Sequence, residues 1–95
     1  MRKFKGISLS RPDLRIMKIL LGNKSATPTE IARKTDYTLN SVFSRLEKLY
    51  FQNLVEKDTR GKTRPRRLTK YGEEVAWWLC LSKKERRSIY EQHSG

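Results

Sequence analysis

The 95 residues carry 22 Lys and Arg against 10 Asp and Glu, a formal net charge of +12, and only 36% of them are apolar. That balance predicts one small domain with a lean core and an anionic partner, nucleic acid ahead of an anionic membrane surface. The longest apolar run, Val75 to Leu81, is seven residues. It is too short to cross a membrane, and the basic N-terminus leads into no apolar stretch of a secretory signal, so a cytoplasmic protein without a membrane partner is expected.

Residues 1–9 read as a basic arm, with Arg2, Lys3 and Lys5 as cations and Phe4, Ile7 and Leu9 as apolar anchors. Ser10-Arg11-Pro12-Asp13 opens a first helix. Serine can cap, proline is tolerated in the first turn, and the aspartate complements the helix dipole. Leu14, Met17, Leu20 and Leu21, joined by Ile16 and Ile19, give it an apolar face wide enough for a central position. Gly22-Asn23 is expected to stop it with a left-handed residue.

Thr27-Pro28-Thr29-Glu30 is a second helix start. Threonine is the cap, proline the first helical residue, and Glu30 closes a capping box. This helix is predicted to end near Lys34-Thr35-Asp36. Thr38 then caps a third helix, with Leu39, Val42, Phe43, Leu46, Leu49 and Tyr50 at helical spacing and Asn53 at its C-terminal cap. Two helices joined by so tight a turn make a helix-turn-helix.

Leu54 to Lys57 reads as a strand, residues 58–65 as a basic loop with Gly61 at its tip, and Arg66 to Leu68 as the return strand. Pro65 suits only the start or edge of that strand, because it donates no ladder bond. Thr69 caps a fourth helix, and Tyr71, Val75, Trp78 and Leu79 are its predicted docking face. Ser82-Lys83-Lys84-Glu85 is another capping box, so either a new helix begins there or the fourth continues. The expected organisation is a basic arm over 1–9, a helix-turn-helix and hairpin domain over 10–82 and a C-terminal helical extension and tail over 83–95.

Catalytic chemistry finds few residues. There is one histidine, His93, and one cysteine, Cys80. No disulfide, His/Cys metal set or nucleophilic triad follows from them. Cys80 lies in an apolar run and reads as a buried, inert thiol. Gly61-Lys62-Thr63 resembles the end of a phosphate-binding loop, but the position where that motif needs its other glycine is Glu56. No enzyme activity, metal or cofactor is expected.

The order of three helices, a hairpin and a fourth helix is that of a winged helix. The stretch EIARKTDYTLNSVFSRLEKL over residues 30–49 resembles the core of small bacterial and archaeal winged helix-turn-helix regulators such as the MarR, ArsR and PadR groups. Gln52-Asn53-Leu54-Val55-Glu56 looks like their glycine-leucine-valine step, with Asn53 in the glycine position. Leu68-Thr69-Lys70-Tyr71-Gly72 looks like the leucine-threonine-x-x-glycine that opens their next helix. The resemblance spans roughly residues 12–82 and departs from the family pattern at Leu39 and Phe43, where small polar residues are more usual. It implies a mainly α fold with a small β-hairpin, in α-α-α-β-β-α order with an extra C-terminal helix or extension.

Placing the third helix on a wheel at about 100° per residue centres its apolar set near 40° from Val42. That assigns Leu39, Phe43 and Tyr50 to the core beside Val42, Leu46 and Leu49. The opposite face carries Ser41, Ser44 and Lys48, with Asn40 at its edge. A face of small polar residues and a cation suits the major groove. Asn40 can pair with adenine there, and Arg45, to one side, can reach a guanine or a phosphate. Thr38 can present its hydroxyl and N–H to a phosphate. In the hairpin, Arg60, Lys62, Arg64 and Arg66 share parity and are expected on one side, against phosphates or the minor groove. A solvated helix face and a loop that is basic for solubility are the plain alternatives.

Trp77 and Leu81 form an i, i+4 pair off the predicted docking face and mark a homodimer contact near a two-fold axis. The alternative is cover within one chain by the first helix or the arm. The function expected is a sequence-specific double-stranded DNA-binding protein acting as a transcriptional regulator. A non-specific DNA- or RNA-binding chromatin-type module and a winged-helix protein-interaction adaptor are the competing readings.

Overall fold

The structure, a computed structural model, describes residues 7–57 and 64–93, the last five of these by backbone alone. The elements are α1 (Arg11–Asn23), α2 (Pro28–Thr35), α3 (Leu39–Phe51), β1 (Val55–Lys57), β2 (Arg66–Leu68), α4 (Lys70–Leu79) and α5 (Lys83–His93). The mainly helical fold with one antiparallel hairpin is as the sequence predicts. Val55 pairs with Leu68, Glu56 with Arg67 and Lys57 with Arg66. A single bridge adds Ala26 to the outer side of β2, through Ala26 N–H to Arg66 O at 2.9 Å and the return bond at 2.8 Å.

Each helix start is built from its own few residues. Thr27 and Glu30 exchange bonds: Glu30 N–H donates to Thr27 Oγ1 at 3.2 Å and Thr27 N–H to Glu30 Oε1 at 3.1 Å. Thr38 Oγ1 accepts from Ser41 N–H at 3.2 Å. Ser82 and Glu85 form the same reciprocal pair at 3.1 Å each way, so α5 is a new helix and not a continuation of α4. Helix α3 ends in two nested bonds, Leu54 N–H to Leu49 O and Asn53 N–H to Tyr50 O, both 3.0 Å, with Asn53 at φ 63°. This is the Schellman geometry, in which a left-handed residue satisfies the last carbonyls. The end of α1 differs from expectation. The helix runs through Gly22 to Asn23, and the positive φ of 56° falls on Lys24. Asn23 supports this end by donating its side-chain amide to Ile19 O at 2.8 Å.

Helix α1 is central, packing against α2, β2 and α4. Ile16, Met17 and Leu20 meet Ile31 of α2, Val42, Leu46 and Leu49 of α3, Leu54 and Val55, Leu68, and Val75 and Ala76 of α4 in one buried cluster. Two predicted faces are corrected here. In α3 only Val42, Leu46 and Leu49 are buried, while Leu39, Phe43 and Tyr50 stand about two-fifths exposed. The core stripe is therefore centred on Val42 itself, and it is narrower than the apolar set. In α4 the inward residues are Gly72, Val75 and Ala76, while Tyr71, Trp78 and Leu79 are exposed. Small residues face inward because α4 lies tight on the α3–β1 junction. A Cβ on Gly72 would sit 1.9 Å from Leu54 O.

Leu81 is also buried. It lies in the turn between α4 and α5. Arg86 of α5 closes the turn, donating from Nη1 to Leu81 O at 2.7 Å, Trp78 O at 3.2 Å and Trp77 O at 3.3 Å. Its guanidinium lies 5.0 Å from the centre of the Trp78 ring. Lys18 holds α5 to α1 through Glu85 at 3.1 Å. Among the described residues no helix is long and apolar enough to cross a membrane.

Candidate nucleic-acid interface

Helix α2 ends with Asp36 in the left-handed region at φ 62°, its N–H donating to Ala32 O at 2.9 Å. Three residues later α3 begins. Thr35 Oγ1 donates to Ile31 O at 2.7 Å and accepts from Tyr37 N–H at 3.3 Å, which stiffens the turn. The tight reversal leaves the first two turns of α3 projecting from the domain. Thr38, Leu39, Asn40, Phe43 and Ser44 are exposed there, and Ser41 is half-buried.

The side of α3 toward α1 is organised by a residue that sequence reading treats only as a dipole complement. Asp13 has a fully buried side chain. Its Oδ2 accepts from Ser10 N–H, Ser10 Oγ–H and Lys48 Nζ, each at 2.9 Å, and its Oδ1 accepts from Arg45 Nη1 at 3.3 Å. Arg45 Nη1 also donates to Ser10 Oγ at 3.1 Å. Burial pushes the Asp13 carboxyl up. The Ser10 N–H, Lys48 and the Ser10 hydroxyl outweigh it and hold the group below its usual 3.8. Two cations assigned from sequence to the DNA face thus double as pins between α3 and α1. Lys48 remains 41% and Arg45 31% exposed, so both can still present charge along the edge of the helix.

The other flank of α3 faces the hairpin. Lys57 on β1 pairs with Glu47 at 2.9 Å and lies 4.6 Å from the centre of the Tyr50 ring. This accounts for Glu47, the one acid of α3, whose charge is met by a hairpin cation. Across the hairpin Arg67 pairs with Glu56 at 2.6 Å. Arg64 is exposed and has φ 43°.

Arg66 is a correction. It is buried, with its Nη1 donating to the Arg64 carbonyl and its Nε turned inward. Strand alternation explains this, because Arg66 shares a face with Leu68, which must reach the core. The expected single-sided row of cations does not extend to it. Arg60 and Lys62 lie outside the described residues, as do Arg2, Lys3 and Lys5 of the arm.

Trp77 is half-buried on α4 and Leu81 is buried. The pair assigned to a dimer contact is thus split, and the exposed apolar residues at that end are Trp78 and Leu79. The Cys80 thiol is pushed up to about 11 by burial, against a smaller pull down from Lys18, and donates to Leu14 O at 3.3 Å. It is poorly ionised at neutral pH and so a weak nucleophile.

Comparison with known proteins matches this architecture. Solved structures align over nearly the whole chain. A point mutant of Lactococcus lactis ZitR superposes with a TM-score of 0.74 at 21% identity, covering 97% of this chain and 64% of that one. A MarR family protein from Bacillus stearothermophilus gives 0.73 at 16%, covering 94% and 62%. Wild-type ZitR in complex with DNA gives 0.68 at 21%, covering 97% and 60%. The chain therefore spans less than two-thirds of the length of these proteins, and the likeness concerns the fold. No curated protein matches the sequence. The family model for winged helix-turn-helix DNA-binding domains matches residues 9–56, half of the chain, covering the whole of the helix-turn-helix and reaching into β1. The chain belongs to the winged helix-turn-helix DNA-binding family.

Proposed function

We propose that this chain is a sequence-specific double-stranded DNA-binding protein that regulates transcription by occupying a promoter site in the cytoplasm. Helix α3 enters the major groove, which is just wide enough for one helix. Thr38, Asn40, Ser41 and Ser44 face the bases and nearby phosphates, while Arg45 and Lys48 flank the backbone. The hairpin, through Arg60, Lys62 and Arg64, lies along phosphates or a narrow minor groove. The single observation that carries this is the outward half of α3, whose exposed Asn40 and Ser44 stand on a helix braced from beneath by Asp13. The net charge of +12 favours a phosphate backbone, and one structural relative has been solved in complex with DNA.

The chain acts as a homodimer through its C-terminal helices, with Trp77 and the exposed Leu79 at the contact and buried Leu81 supporting them. Two copies then read half-sites about one helical turn apart. The test is selection from a random duplex pool at physiological salt. A reproducible, two-fold-symmetric motif is expected, and an unenriched pool overturns the reading in favour of a non-specific module. If about six to eight phosphates are neutralised per protomer, log affinity falls against log salt with a slope of roughly −5 to −7.

A further inference from the structure

The outward half of α3 carries two rails. One is polar, Asn40 and Ser44. The other is apolar, Leu39 at 41% and Phe43 at 42% exposure. Relative to Val42 the polar rail lies near 180°, directly away from the core, and the apolar rail near 80°, on the flank beside it. Core demand does not explain Leu39 and Phe43, because Val42, Leu46 and Leu49 are the residues α3 contributes to the buried cluster. The two apolar residues are four apart, about 6 Å along the helix, less than the rise of two base pairs.

In the major groove the only apolar group a base presents is the thymine C5-methyl, and the base paired with it is the one that an asparagine grips bidentately. Arg45, by contrast, is poorly placed to read guanine. A guanine contact uses two parallel N–H groups from one edge of the guanidinium. Nη1 of Arg45 is engaged with Ser10 and Asp13, and Nε is buried. Each edge of the fork is thus blocked at one of its two donors.

Resting on the DNA-binding reading above, we infer that Leu39 and Phe43 are specificity-determining residues that pack on thymine methyl groups, beside Asn40 on adenine, so that α3 selects A·T pairs at the centre of each half-site. Arg45 serves there as a pin and phosphate neighbour. The occupant of the apolar rail is the methyl edge of the duplex, because the rail lies on the helix-turn-helix element, next to the polar rail and on the same flank as Tyr50, over whose ring the hairpin cation Lys57 sits.

The test uses the full chain and the duplex recovered by selection. Each thymine is replaced singly by deoxyuridine, which keeps the pairing and O4 but lacks the methyl. For the wild type, at least one replacement per half-site is expected to weaken binding about three- to fivefold, the worth of one buried methyl group. In Phe43→Ala or Leu39→Ala the ratio of uracil to thymine affinities at that position should approach one. Both residues are exposed, so circular dichroism should show unchanged folding, and the wild-type uracil scan stands even if one variant is unstable. Tight binding with no uracil effect at any position overturns the inference while leaving DNA binding intact. So does a motif dominated by G·C pairs, or a Phe43→Ala variant that changes oligomeric state and leaves the uracil ratio as it was. Failure to bind any duplex overturns both.

Discussion

Helix α3 is held from two sides by different physics. Along its flank toward α1 the tie is electrostatic, with one buried carboxylate, Asp13, accepting from Arg45 and Lys48. At its C-terminal end the tie is steric and main-chain. Thr69 N–H donates to Leu54 O at 3.1 Å, Thr69 Oγ1 donates to Asn53 O at 2.7 Å, and Gly72 lets α4 close onto the Leu54 carbonyl. The first tie responds to pH and to charge. The second depends on the absence of a single carbon atom.

The largest effect is expected at the steric end. Gly72→Ala should destabilise the domain by about 3 kcal/mol, the upper part of the range for overpacking. Alanine would otherwise favour the helix by about 1 kcal/mol, so any net loss measures the close approach. Urea unfolding at pH 7 and pH 4 should give the same loss, and a stable Gly72→Ala protein would break the steric half of the comparison.

Asp13→Asn should cost about 1.5–3 kcal/mol at pH 7, the range for hydrogen bonds to a charged group. Its effect should also depend on pH, with a definite sign. The folded-state carboxyl lies below the usual 3.8. The stability it contributes is therefore fully present above that value and is lost as pH falls through the folded one. The gap between wild type and Asp13→Asn should close below about pH 3.8. A gap that stays constant into strong acid would show that Asp13 acts by shape rather than charge.

Smaller effects should grade the two ties. Thr69→Ala removes the α4 cap (Thr69 Oγ1 accepts from Gly72 N–H at 2.9 Å) and should cost about 1 kcal/mol, with little pH or salt dependence. Lys57→Met breaks the exposed pair with Glu47, where the partners are 34% and 44% exposed. It should change stability by at most about 1 kcal/mol, and by less at high salt. A Lys57 effect larger than that of Asp13 would shift the anchoring of α3 to the hairpin side.

The parts of this fold legible in the sequence are those decided within four residues. The Thr27–Glu30 box, the Thr38 and Thr69 caps, the Ser82–Glu85 box and Asn53 at the end of α3 all stand where local chemistry predicts. The features that differ depend on distant partners. Asp13 meets Arg45 and Lys48, 32 and 35 residues away, and nothing beside it announces burial. Leu39, Phe43 and Tyr50 fit a helical apolar period as well as Val42 does, and only the packing of the other elements decides which of them is buried. Arg66 is legible in principle. Its parity with Leu68 ties it to the inward face, whereas charge alone suggests an outward one. Leu81 escapes sequence reading because a continuous apolar run shows no period until the chain turns.

The separation of bracing from display has an evolutionary consequence. Positions 39, 40, 43 and 44 are exposed, while the anchors of α3 are elsewhere, at Asp13, at the row from Val42 to Leu49, and at Thr69 and Gly72. On the DNA-binding reading proposed above, drift at those four sites would retarget the protein to a new sequence at little cost to its folding, whereas drift at the anchors must be compensated on another helix.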